Sequence, residues 1–79
     1  MLNVLDVVAL NEDLRASHYE SKLPILLKRG QVGTVLEVYE QGASYLVEFA
    51  DQQGVMFALE ILESKQLIPL HHQCFIEST

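Results

Sequence analysis

The side chains with the most chemistry to offer stand together in His71-His72-Gln73-Cys74. Imidazole and thiolate both bind zinc or copper. Three ligands packed into so short a run do not easily surround one ion tetrahedrally, and structural zinc sites normally pair two spaced clusters. No second cluster exists, since His18 is the only other histidine and Cys74 the only cysteine. The expectation is therefore no metal site and no cofactor. Cys74 is a poor candidate nucleophile. It lies beside Phe75, with nothing in the sequence to lower its pKa and no third group to orient a His–Cys pair. A catalytic triad and a phosphate-binding loop are likewise missing from the sequence. No catalytic residue is assigned, and the chain reads as non-enzymatic.

The other polar side chains suit contact better than catalysis. Glu12 and Asp13 sit at the mouth of a long segment after the first apolar run, and with Asp51 would form an acidic patch. Loop carboxylates are mostly solvated in any case. Tyr19, within that segment beside His18, and Tyr39, at the end of a later run, join a broad apolar ring to a polar tip, a combination favoured at interfaces. Glu12, Asp13, His18, Tyr19, Tyr39 and Asp51 are the candidate partner-binding residues. Tyr45 keeps company with Val47 and Phe49 and is expected in the core. Leu23, Ile25, Leu26 and Leu27 surround Pro24 with apolar surface. What the core does not use would be an exposed patch, open to a partner or to a second copy in a homo-oligomer.

Composition narrows the classes of partner. Seventy-nine residues make one domain near the lower limit for a self-sufficient core. An apolar fraction of 49% argues against wholesale disorder. Five Lys and Arg stand against eleven Asp and Glu, a net charge of −6. Such a surface repels phosphate backbones and anionic lipid, so a protein partner is expected rather than nucleic acid or membrane. No apolar run approaches the ~20 residues of a membrane span. Asp6 interrupts any secretory pattern, and one unpaired cysteine fits a reducing cytoplasm.

The elements that would position these groups are mostly short strands. Leu5 to Leu10 reads as the first. Asn11 to Arg29 shows no strand alternation and reads as a long loop, with at most a helical turn over Leu14–Lys22 before Pro24. Gly30 and Gly33 then introduce an apolar, β-branched run, and the pair suits a tight approach to a strand over Gly33–Tyr39. Glu40-Gln41-Gly42-Ala43 is a turn. Ser44–Phe49 alternates cleanly, with Tyr45, Val47 and Phe49 on one face. Asp51-Gln52-Gln53-Gly54 turns into a fourth strand, Val55–Ile61. Glu37, Glu48 and Glu60 are expected to share an acidic outer face. A single 3₁₀ turn over Leu62–Lys65 precedes a short fifth strand, Gln66–Leu70, which Pro69 places at an edge. Residues 71–79 form a tail, leaving residues 1–70 as the domain.

Three strands in a meander with two short flanking strands describe an all-β fold, a small five-stranded SH3-like barrel. The turn at Asp51–Gly54 leaves no room for the helix of an OB-fold. The runs Asp6–Leu14, Leu27–Tyr39, Tyr45–Phe49, Ala58-Leu59 and Gln66–Leu70 resemble a widespread family of small uncharacterised bacterial proteins, common in cyanobacteria. The resemblance spans roughly residues 5 to 70. It implies an SH3-like barrel of unknown function and, through effector genes beside some relatives, an antitoxin, immunity-type or accessory role. Arg15–Leu26 and the tail after Leu70 depart from the family pattern. A more distant likeness is to KOW-type ribosomal and transcription-factor barrels, which share the glycine-then-valine approach to a strand.

The expected function is that of a small protein-interaction module. SH3 domains carry acidic residues where Glu12 and Asp13 stand and use them on basic or proline-rich peptides. The alternatives are a KOW-like nucleic-acid-binding barrel, for which Lys22, Lys28 and Arg29 are a thin footprint, or a small subunit of a larger assembly.

Overall fold

A computed structural model describes residues 1–70. The chain forms seven strands and one 3₁₀ turn: β1 (Val7–Leu10), β2 (Leu14–Ser17), β3 (Pro24–Leu27), β4 (Val32–Tyr39), β5 (Ser44–Ala50), β6 (Met56–Leu62), the turn Ser64–Gln66 and β7 (Leu67–Leu70). Five strands make one antiparallel sheet in the order β6-β5-β4-β1-β7, and β2 and β3 make a separate hairpin. The all-β class, the meander, the 3₁₀ turn before the last strand and the edge position of Pro69 all follow the sequence reading. Two expectations about the topology need correction. The sheet does not close into a barrel, because β6 and β7 remain its two unjoined edges. The segment from Asn11 to Arg29 is not a loop, because it holds the β2–β3 hairpin.

That hairpin forms because each of its strands has a usable apolar side. Leu14 and Ala16 of β2, with Ile25 and Leu27 of β3, pack on the core. Arg15, Ser17, Pro24 and Leu26 alternate with them and are exposed. Pro24 is tolerated because β3 pairs with β2 alone, so its missing N–H leaves no ladder broken on the far side. The hairpin is tied down at both ends. At its base Gly30 N–H donates to the Leu10 carbonyl at 2.8 Å and Leu10 N–H to Gln31 at 2.9 Å. At its tip Tyr19 N–H donates to the carbonyl of Phe57 in β6 at 2.8 Å.

The core lies between the sheet and the hairpin. Val8, Leu10, Val35, Tyr45, Val47 and Phe49 are its largest fully buried side chains. Tyr45 is inward as expected, and its hydroxyl accepts the Leu2 N–H at 3.4 Å. Register decides the faces. Tyr45, Val47 and Phe49 stand opposite Leu62, Glu60 and Ala58, so those three residues of β6 face inward. Leu46 and Glu48 stand opposite Ile61 and Leu59 and face outward. The shared acidic face of Glu37, Glu48 and Glu60 is therefore split, with Glu60 on the opposite side from Glu48. Leu5 also fails to extend β1. Its φ of 74° lies in the left-handed region, within a turn in which Asp6 N–H donates to Asn3 at 3.0 Å.

The two glycines before β4 act differently. Gly30 has φ 93°, with open space around it. Gly33 is buried on the inner face, where an added Cβ would stand 2.8 Å from Phe49 Cε1 and Val47 Cγ1 and 2.9 Å from the Glu48 carbonyl oxygen. β4 can cross β5 this closely only because position 33 has no side chain.

Candidate functional site

The six candidate residues do not converge. Glu12, Asp13 and Asp51 lie at the end of the sheet where β4 begins, and Tyr39 lies at the other end, in the β4–β5 hairpin. Two of the carboxylates have local partners. Asp13 Oδ1 accepts the Arg29 N–H at 2.8 Å, across the base of the β2–β3 hairpin. Asp51 Oδ1 accepts the N–H groups of Gln53 at 2.9 Å and Val55 at 3.0 Å, which shapes its own turn. Glu12 is exposed. The Tyr39 hydroxyl donates to Glu37 Oε2 at 2.7 Å. That hydrogen bond, followed by partial desolvation and the carboxylate charge, raises the phenol above its ordinary pKa.

His18 and Tyr19 belong to the tip between β2 and β3, the most organised of these places. His18 Nδ1 accepts the N–H groups of Glu20 at 3.3 Å and Ser21 at 3.4 Å, so the imidazole caps the turn. His18 N–H donates to Leu23 at 2.8 Å, and Lys22 N–H returns to the His18 carbonyl at 2.9 Å. Lys22 Nζ donates to the Tyr19 carbonyl at 2.7 Å and lies 5.1 Å from the centre of the Tyr19 ring, within cation–π range. The tip thus has a defined shape although little of it is buried.

Around this tip the hairpin shows apolar surface. Tyr19 is 45% exposed, Leu23 64% and Leu26 52%. Arg15 stands directly opposite Leu26. Beside them lies a shallow groove of about 320 Å³ lined by Arg15, Ala16, Pro24, Ile25 and Leu26. The sequence singles out the leucines around Pro24 but not Arg15 or the groove. The available signal was the short alternation Leu14-Arg15-Ala16-Ser17, two periods of a strand.

Charge is unevenly divided along the same lines. Residues 14–29 hold Arg15, Lys22, Lys28 and Arg29 against one carboxylate, Glu20, a net +3. With −6 on the whole chain, the rest carries −9. Among the described residues the one ion pair is Lys65 with Glu63, at 3.8 Å and solvent-exposed on both sides. The sheet's outer face is mixed in a complementary sense. Glu37, Leu46 and Ile61 form one row across β4, β5 and β6, and Thr34, Glu48 and Leu59 the next. Ile61 is 63% exposed.

On the inner side, partial burial raises the Glu60 carboxyl above its ordinary range, and the Ser17 backbone N–H holds that rise back. Among the described residues no group of three His, Cys, Asp or Glu side chains is arranged to hold a metal ion. His71, His72 and Cys74 lie outside the described residues. No described helix is long and apolar enough to cross a membrane.

No curated protein and no solved structure matches the chain. A family described as a domain of unknown function, DUF4926, matches residues 4–69, which takes in every strand but the last residue of β7. The chain belongs to that family.

Proposed function

We propose that this protein is a non-catalytic interaction module whose recognition element is the β2–β3 hairpin and whose partner is a protein. One observation carries the reading: the hairpin holds Leu26 in the open on β3, and Tyr19 and Leu23 in the open on a tip fixed by its own hydrogen bonds. A small two-layer domain has no structural need to fix exposed apolar side chains in this way. Clustered exposed apolar surface is characteristic of contact sites. Preorganisation lowers the entropy lost on binding. Glu12 and Asp13 at the hairpin base would meet basic groups of the same partner. An antitoxin, immunity-type or accessory role in the cytoplasm accords with such a module.

The test is capture from native lysate with the full chain as bait, beside a Tyr19→Ser/Leu23→Ser variant. Both side chains are exposed, so the variant keeps the fold, whereas deleting residues 15–23 would remove most of β2. One stoichiometric protein held by the parent and lost by the variant is expected. Equal capture by both would refute the hairpin as recognition element. A second reading, nucleic-acid binding, is favoured by the concentration of four of the five cations within residues 14–29, on the hairpin and just after it. It requires RNA binding that weakens with salt and is lost in Lys28→Glu/Arg29→Glu.

A further inference from the structure

The hairpin and the outer face of the sheet are complementary to each other, and one molecule cannot bring them together. The exposed row of the hairpin, with Arg15 and Leu26, points away from the core on one wall. Leu46, Glu48, Leu59 and Ile61 point away from the same core on the opposite side of the sheet. One surface is apolar and basic and contains a groove. The other is apolar and acidic and carries a projecting isoleucine. We propose that the occupant of the groove is a second copy of this chain: Ile61 of one molecule seats between Pro24 and Leu26 of the next, and Glu48 pairs with its Arg15. This deepens the reading of the hairpin as a recognition element by naming its partner.

Geometry supports this pairing in particular. Ile61 is directly opposite Leu46 and diagonal to Glu48 on the same face. Diagonal side chains on adjacent strands stand roughly 7–8 Å apart at their roots, within reach of a long side chain such as arginine. Arg15 is directly across from Leu26 on the groove's rim. An apolar knob beside a carboxylate thus meets an apolar groove beside a guanidinium. Arginine suits this position because its planar fork matches a carboxylate bidentately. The outward rows of the sheet carry Glu37 and Glu48 and no cation, against Arg15 and the net +3 of residues 14–29, which adds attraction between unlike walls and repulsion between like ones. The contact joins two different surfaces, so it is head-to-tail and makes a ring or an open row of molecules rather than a simple two-fold dimer.

Sedimentation velocity of the full chain over a wide concentration range tests this, at about 0.1 M and about 1 M salt, where the screening length falls from about 10 Å to about 3 Å. Mass that rises with concentration at low salt and falls back at high salt is expected. Arg15→Glu and Glu48→Lys should each weaken association on the order of tenfold, since like charges are then opposed. Mixing the two variants should restore it, because each supplies the charge the other now needs. Ile61→Ser, at an exposed position, should also dissociate the protein without unfolding it. A monomer at every concentration, or charge variants that associate like the parent, would overturn self-docking. A monomer that still captures a different protein through Tyr19 and Leu23 would overturn self-docking alone and leave the interaction module standing. A monomer at every concentration that also captures no protein would remove both.

Discussion

Gly33→Ala isolates the closest approach in the fold. The new methyl would meet Phe49 Cε1 and Val47 Cγ1 at 2.8 Å and the Glu48 carbonyl oxygen at 2.9 Å. All three are below the distance at which carbon can rest against another atom. Two of the neighbours cannot swing aside, because Val47 and Phe49 are fully buried. The third is backbone of a central strand. Overpacking a filled core costs about 1–3 kcal/mol. Replacing a strand glycine returns about 0.5–1 kcal/mol of chain entropy. With a backbone oxygen among the three neighbours the cost falls in the upper half of that range, so the net loss is about 1–2 kcal/mol, which lowers the melting temperature of a domain this size by about 5–15 °C. Thermal and urea unfolding followed by circular dichroism read it directly. Gly30→Ala is the control. Its φ of 93° carries a backbone cost but no atom lies within 4 Å. Its loss should be independent of Val47→Ala, whereas Gly33→Ala and Val47→Ala should be less than additive because they share one clash. A Gly33→Ala protein melting within about 2 °C of the parent would refute the packing account, since 1 kcal/mol alone moves such a domain further than that.

Two further outcomes follow from side chains placed above. Glu60→Gln should raise the melting temperature at neutral pH by an amount worth less than about 1 kcal/mol, because the site is open to water. Since the folded carboxyl binds its proton more tightly than the unfolded one, the parent is penalised as pH rises through the folded pKa, and the advantage of Gln should vanish below about pH 4. An advantage that grew in acid would contradict that sign. Asp51→Ala removes the acceptor for two turn N–H groups and should cost about 1 kcal/mol in urea unfolding, whereas Asp51→Asn keeps an oxygen there and should cost less. Equal losses would show that the turn does not depend on that oxygen.

The meander was legible because its signals are local. Tyr45, Val47 and Phe49 alternate through β5, and polar glycine-containing turns bracket the strand. The hairpin β2–β3 was harder to see. Its strands are four residues each, and Pro24 opens β3 with a residue that argues against a central strand. What makes them strands is burial of Leu14, Ala16, Ile25 and Leu27 on a core built largely by residues distant in the chain. The side of β6 that faces inward was likewise hidden. Alternation defines two faces but does not rank them, and Phe57, Leu59 and Ile61 outweigh Ala58 and Glu60 in apolar bulk. The irregularity between Phe49 and Ala50 sets the register, turning Glu60 toward the hairpin and Ile61 outward. The candidate residues were chosen by type alone. Asp51 and His18 hold turns, and Asp13 the base of the hairpin, with atoms that sequence can name but cannot aim.

The position of β1 has a consequence for synthesis. β1 lies between β4 and β7, with Val7 to Leu10 matched to Leu70 to Leu67. On a ribosome, β1 emerges first and β7 last among the strands. Until Leu67–Leu70 is free of the exit tunnel, one side of β1 offers its N–H and C=O groups to any passing extended chain. The nascent chain therefore carries an open strand edge at Val7–Leu10 from the time β1 emerges until β7 can pair with it.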